Sequence, residues 1–379
     1  MMSLIKCDGK TQFSKVISVL LKPTDMCNLR CKYCFQQDKG YAKNKLSAAT
    51  LKKFCDITFP HYDSVGIVFH GGEPTFFGKS ALQRYVDILK YKAKEYGVKM
   101  KLSMQSNGTL LDVDFVKYLK NEQIHLGISF DGLHNDETRH STQSVLNSLS
   151  LLKKYDLKVG VITVVTDVNC HDLIENYEYM KKLGTSIKLS AFEDCVDNRD
   201  IGLDINKFIS SMKKFFDYWY NDETCNIGVD PFGAIIKSII LGYSNQCSHS
   251  SCLSRWMCLE PNGDVTPCDR FFPKEYTYGN VMNMSDIRQI YESEGFLRLL
   301  TGSIKRRTKC KQVCKLYQYC EGGCNNEAMC QVGLENNCGT SCMIFKELFN
   351  YIKNYIQQHS FEIKNPKVSL LVEHFGSFK

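Results

Sequence analysis

No stretch of this 379-residue chain is apolar over the length a membrane helix needs, and its opening MMSLIKCDGKTQF lacks the apolar core of a secretory signal. The expected location is therefore the cytoplasm, with no membrane partner. No proline-rich, glycine/serine-rich or single-residue tract interrupts the chain, so a long disordered linker is not expected. Charge of one sign is not concentrated either: the net charge of +7 is spread along the length, and no basic module interleaved with aromatics argues for nucleic acid. One local concentration exists, Lys305, Arg306, Arg307, Lys309 and Lys311. It reads as a solvated basic face or, functionally, as a docking patch for an acidic electron-transfer protein.

What the chain has in excess is cysteine, 19 residues, with a dense group running from Cys247 to Cys342. Cytosolic thiols are kept reduced, so clustered cysteines there point to metal rather than to disulfides.

Short β-branched runs alternate with helical patterns. The runs are 16–21, 65–69, 99–105, 124–130, 158–165 and 186–190, six strands separated by five helices such as 81–96 and 173–183, with Ser47 and Asp112 as N-caps. Repeated βα units make a parallel sheet whose sites lie at the C-terminal ends of its strands. The motifs follow that rule: Cys27 to Cys34 after the first strand, Gly71 to Thr75 after the second, Asn107 and Gly108 after the third, Asp131 and Gly132 after the fourth. Helices at 205–220 and 232–241 follow, then a loop-rich cysteine region and a last helix near 341–357. The boundary is placed near residue 240, giving parts 1–240 and 241–379. An apolar run at 368–372 has no assignment.

Cys27, Cys31 and Cys34 form C-x3-C-x2-C, and no fourth cysteine follows before residue 50. Zinc ribbons complete four ligands, and ferredoxins supply four cysteines per cluster. Three thiols in a tight loop suit a cubane cluster with one iron left open to a chelating substrate. With Tyr33 before the last cysteine and Gly71-Gly72-Glu73-Pro74 after the second strand, the chain resembles the radical S-adenosylmethionine superfamily. The resemblance implies an α/β fold, a partial (β/α)6 TIM-type barrel. It also implies cofactor contacts: Tyr33 near the adenine, Gly71, Gly72 and Glu73 at the methionine amino group, Ser129 and Arg139 at ribose and carboxylate. Asn107 is either a turn residue or a further contact.

In the C-terminal part, Cys247-x4-Cys252, Gly263-x4-Cys268 and Cys310-x3-Cys314-x5-Cys320-x3-Cys324, with Cys342 opening the last helix, resemble the SPASM extension. That resemblance implies two auxiliary four-iron clusters, one on Cys247, Cys252, Cys268 and Cys324, the other on Cys310, Cys314, Cys320 and Cys342. Together with the first, three [4Fe-4S] clusters result. The usual spacing has two residues, not three, between the positions of Cys310 and Cys314, and Cys258, Cys330 and Cys338 are alternative ligands. A zinc-binding tail is the competing reading.

Along nearly the whole chain the layout is similar to the anaerobic sulfatase-maturating enzymes, through Cys27-Asn-Leu-Arg-Cys31-Lys-Tyr-Cys34-Phe35, Phe216-Asp217-Tyr218-Trp219-Tyr220, Leu241-Gly242 and Pro267-Cys268-Asp269. The likeness implies oxidation of a substrate Cys or Ser to formylglycine, with S-adenosylmethionine cleaved reductively, Asp269 as the base, and a flavodoxin- or ferredoxin-type electron donor. Gln36 and His70 depart from that family's Tyr and Gln. His70 also occurs in SPASM enzymes that crosslink ribosomal peptides, so a peptide or protein substrate is expected with the product open. The 26 residues before Cys27 are too few for the winged-helix peptide-binding domain many of those carry. A nucleic-acid-modifying radical enzyme and a non-catalytic iron-sulfur carrier are the other classes.

Overall fold

A computed structural model describes residues 14–36, 43–193, 201–249, 252–270, 273–336, 338–359 and 363–376. The opening segment read for a signal core lies outside them.

Six strands, β1 (Val16–Leu21), β2 (Ser64–Phe69), β3 (Lys99–Ser106), β4 (His125–Ser129), β5 (Gly160–Val165) and β6 (Ser186–Ala191), lie side by side in chain order, all parallel. The helices between them are α1 (Ala48–Thr58), α2 (Lys79–Tyr96), α3 (Val113–Asn121), the short α4 (Asn135–Thr138) with α5 (Thr142–Lys154), and α6 (Leu173–Leu183). Ser47 and Asp112 cap α1 and α3 as read from the sequence, each side chain accepting a backbone N–H of the first turn. This is the expected partial barrel, and its alternation is physical. Ile17, Val19 and Leu21, then Val65, Ile67 and Phe69, are fully buried on the helix side. The intervening residues, among them Gln105, Gly127, Gly160 and Ser186, line an interior cavity. Gln105, Gly127, Gly160 and Ser186 are consecutive partners across four strands. A Cβ on Gly127 would come within 2.4 Å of Gln105 Oε1, so the glycine is what lets that amide lie across the barrel and reach Ser129 Oγ at 2.8 Å.

α7 (Ile205–Tyr220) and α8 (Phe232–Leu241) fall where the sequence placed them, with β7 (Val229–Asp230) added to the sheet beside β6. The strands beyond residue 240 do not form a separate sheet: β8 (Trp256–Leu259) pairs in parallel with β1, and β9 (Asp264–Thr266) and β10 (Gly279–Asn280) continue antiparallel. Barrel and cysteine region thus share ten strands of one sheet.

The cysteine region is less loop-rich than expected. It contains α9 (Glu294–Val313), α10 (Tyr317–Cys320) and α11 (Asn325–Gln331) before α12 (Thr340–His359). α9 escaped notice because its buried face is Gly295, Phe296, Leu299, Gly302, Ser303, Arg306 and Cys310, too few of them apolar to show a helical period. The unassigned apolar run lies in α13 (Pro366–Phe375), capped by Asn365 and packed on α8.

Candidate active site and cysteine centres

The loop after β1 is seated by glycines. Gly72 N donates to Thr24 O at 3.0 Å and Glu73 N to Met26 O at 2.8 Å, so the loop after β2 lies directly on the segment that enters Cys27. A Cβ on Gly72 would fall 2.1 Å from Met26 O; on Gly71, at φ +118°, it would fall 2.7 Å from Thr24 O. Only glycine permits this approach. Glu73 is 1% exposed, and its carboxylate accepts from Thr75 N (3.0 Å), Thr75 Oγ1 (2.7 Å), Ser106 Oγ (2.8 Å) and Asn107 N (2.6 Å). It ties the β2 loop to the β3 loop. Asn107 in turn donates through Nδ2 to Asn28 Oδ1 (2.9 Å) and Cys27 Sγ (3.8 Å), linking the β3 turn to the first cysteine.

Beneath the triad lies a fully buried Lys22, its ammonium 2.6 Å from Glu260 Oε2, 3.3 Å from Asp25 Oδ1 and 3.4 Å from Gln36 Oε1. Burial alone would lower its pKa; Glu260, Cys258 and Asp25 together reverse this and hold it above the ordinary value. The ion pair joins the ends of β1 and β8 under the cysteine loop, and sequence reasoning missed it because neither residue belongs to a motif.

On the other side Tyr33 Oη donates to Asp131 Oδ2 at 2.7 Å and accepts from Arg139 Nη1 at 2.7 Å. The Asp131 carboxylate is fully buried and also accepts from Thr138 Oγ1 (2.6 Å) and Val164 N (3.0 Å). Lys32 N reaches Thr138 O at 2.9 Å, so the cysteine loop is stitched to the end of α4 as well. Arg139 is thus a buried partner of Tyr33 rather than a surface arginine.

A cavity of about 460 Å³ opens among these loops. Cys27, Cys31, Tyr33, Cys34, Gly71, Gly72, Glu73, Asn107, Ser129, Arg139 and Asp269 all line it, so the structure brings together the triad and the barrel residues expected at the cofactor, with Asp269 from the far part; Gly108, Asp131 and Gly132 are not in its wall. His70, also in the wall, stands with Nδ1 2.9 Å from Asp269 Oδ2. Burial by itself would lower the His70 pKa, and the facing carboxylate raises it above the ordinary value; the same pairing holds Asp269 below the carboxylate range against the opposing effect of burial. Arg270 follows, its Nη2 2.6 Å from Glu193 Oε2 and its Nη1 3.5 Å from Glu327 Oε1.

Most of the cysteines from Cys247 onward gather in two groups. Cys252 lies within electrostatic reach of Cys247, and Cys268 of Cys324 and Cys252. Cys320 is within reach of Cys314 and Cys310, and Cys342 of Cys338 and Cys320. These neighbours fall within the two quartets that the SPASM resemblance implies, with Cys338 beside Cys342. The second group surrounds a separate cavity of about 280 Å³. Cys258 is elsewhere, fully buried on β8 with Sγ 3.8 Å from Glu260 Oε1. Burial pushes the Cys31, Cys252 and Cys342 thiols up to about 11. Buried thiols held close together without cations enough to ionise them suit a group that binds them as thiolates, as iron does. The triad also suits a three-ligand cluster, since it faces a cavity with room beside it.

The basic concentration is not one solvated face. Arg306 is 1% exposed, while Lys305 pairs with Glu335 and Arg307 with Glu321. Lys305, Lys309 and Lys311 are exposed, while Arg306 is enclosed. Among the described residues no helix is long and apolar enough to cross a membrane.

Residues 21–180 match the radical SAM superfamily, and residues 247–325 match the SPASM iron-sulfur cluster-binding domain. A cysteine-type anaerobic sulfatase-maturating enzyme of Clostridium perfringens is 26% identical over 365 residues, covering 88% of this chain and 96% of that enzyme. The subtilosin biosynthesis protein AlbA of Bacillus subtilis is 26% identical, covering 84% of this chain and 69% of AlbA. The solved structure of native anSMEcpe with bound AdoMet superposes with a TM-score of 0.80 at 23% identity, covering 91% of this chain and 99% of that one, and so shares its fold. With the cysteine triad and its glycine-seated loop in the first matched segment and the two cysteine groups at and beyond the second, the chain belongs to the radical SAM/SPASM enzymes.

Proposed function

We propose that this radical SAM peptide- or protein-modifying enzyme oxidises a Cys or Ser of its substrate to formylglycine, a reading supported by its likeness to cysteine-type sulfatase-maturating enzymes. The observation that carries the reading is the placement of Asp269 in the same cavity wall as Cys27, Cys31 and Cys34. When bound, an iron-sulfur cluster and S-adenosylmethionine supply reductive cleavage and hydrogen abstraction. Cys27, Cys31 and Cys34 hold that cluster. Tyr33, Gly71, Gly72, Glu73, Asn107, Ser129 and Arg139 would surround the S-adenosylmethionine, with Tyr33 and Glu73 also bracing the loops. Asp269 takes the proton of the substrate thiol or hydroxyl, its Oδ2 held by His70. Cys247, Cys252, Cys268 and Cys324 hold one auxiliary cluster, and Cys310, Cys314, Cys320 and Cys342 the other. Cys268 sets the first group of ligands beside the proposed base, so a cluster held there would supply an acceptor for an electron leaving the substrate. Residues 1–240 form the barrel part and 241–379 the cluster part of one cytoplasmic enzyme, reduced by a flavodoxin- or ferredoxin-type donor.

A crosslinking maturase of ribosomal peptides is the second reading, favoured by His70 standing against Asp269 where the sulfatase-maturating pattern has Gln, and by the likeness to AlbA.

The deciding experiment starts from anaerobically reconstituted protein. Roughly twelve irons per chain together with dithionite-dependent 5′-deoxyadenosine support three clusters. Incubation with Cys- or Ser-bearing peptides then gives an aldehyde trapped by a hydrazide if formylglycine is made. Loss of hydrogen from the peptide with no aldehyde replaces it with the crosslinking reading. Asp269→Ala keeps cofactor cleavage and lowers product formation by roughly 10² to 10⁴; equal loss of both makes the residue structural.

A further inference from the structure

Arg306 sits on α9 with its guanidinium sealed from water. Nε donates to Gly322 O (3.0 Å), Nη1 to Leu334 O (2.7 Å), and Nη2 to Gly323 O (3.3 Å) and Asn325 Oδ1 (2.5 Å). All four acceptors are neutral. Its neighbours Lys305 and Arg307 each have a glutamate, but among the described residues no carboxylate lies within ion-pair distance of Arg306. A buried cation with no counter-charge is costly, and carbonyl dipoles offset only part of the cost.

The surroundings supply what is missing. Gly322 and Gly323 form the turn between Cys320 and Cys324, one cysteine from each quartet. Asn325, fixed through Oδ1 by Arg306, donates through Nδ2 to Cys252 Sγ at 3.9 Å. Arg306 is within electrostatic reach of Cys324, Cys310 and Cys252, again from both quartets, and it lines the cavity of the second. Protonated thiols leave this cation alone. Thiolates bound to iron give it negative charge on two sides.

We propose that Arg306 is a positioning residue between the two auxiliary clusters: it aims the Asn325 amide at the Cys252 sulfur and supplies the positive charge that raises both reduction potentials. The inference rests on the two-cluster reading above. Hydrogen bonds to ligand sulfur and net charge around a cluster are the levers by which a protein sets its potential. Reduction adds negative charge, so losing the cation disfavours the reduced state and moves the potentials downward.

The test is an EPR-monitored redox titration of the full, reconstituted chain, with iron and sulfide counted on every sample. Roughly four irons in the unaltered protein overturn the two-cluster reading and this proposal with it. With roughly twelve, R306Q is expected to lower the potentials of both auxiliary clusters, R306K to recover most of the loss, and N325D to lower chiefly the cluster held by Cys252. Full iron with unchanged potentials in R306Q overturns the proposal and leaves the clusters standing. Where R306Q does not load iron, N325D decides: unchanged potential with full iron overturns it.

Discussion

His70 and Asp269 come from opposite parts of the chain and meet with Nδ1 2.9 Å from Oδ2 in the wall of the cavity that the cysteine triad faces. The imidazole stands at ion-pair distance from one carboxylate oxygen. An orienting partner of this kind acts on the step its carboxylate performs. His70→Gln should keep 5′-deoxyadenosine formation and slow product formation roughly ten- to a hundredfold. Equal loss of both rates would place His70 in cofactor binding instead.

The pair also sets a pH dependence. The folded-state pKa of His70 is raised, so the stabilisation is complete below the ordinary histidine value of about 6.5 and is lost as pH rises through the higher folded value. Thermal midpoints of the anaerobic protein between about pH 6 and about pH 9 should fall on the alkaline side, and His70→Gln should flatten that fall. An identical slope in the variant would assign the loss to other groups.

Gly72→Ala places a methyl 2.1 Å from Met26 O, a backbone atom with no freedom to retreat. The loop must shift and carry the entry to Cys27 with it. We expect the variant to lose the triad's iron, seen as roughly four irons fewer per chain, and all cofactor cleavage. Full iron and cleavage would mean that the two loops separate without consequence.

Tyr33→Phe removes the hydroxyl that donates to Asp131 and accepts from Arg139. Asp131 keeps Thr138 and Val164, while Arg139 Nη1 loses its acceptor in a buried setting. A loss of about 1–3 kcal/mol in denaturant unfolding is expected. No loss would show water replacing the hydroxyl.

The sequence was most legible where chemistry is local. The six strands and the N-caps of α1 and α3 were readable because strand alternation and a capping side chain act within a few residues. α9 was not, since its buried face carries glycine, serine and arginine, and only the closeness of Gly302 to Leu334 or of Gly295 to Thr277 explains those choices. The basic run misled for a related reason: composition records that Arg306 is charged and not that four backbone and amide acceptors enclose it.

By itself the sequence determined the chemistry on offer. Three thiols within one short loop, a glycine pair after the next strand and eight further cysteines at cluster spacing are facts of covalent distance, and they hold in any conformation. The tertiary structure decided who meets whom. The pairing of β8 with β1 carries Glu260 beneath the triad to Lys22, and the turn beyond β9 brings Asp269 to His70. Such meetings depend on strand register and on the packing of distant segments, which leave no local periodicity to read.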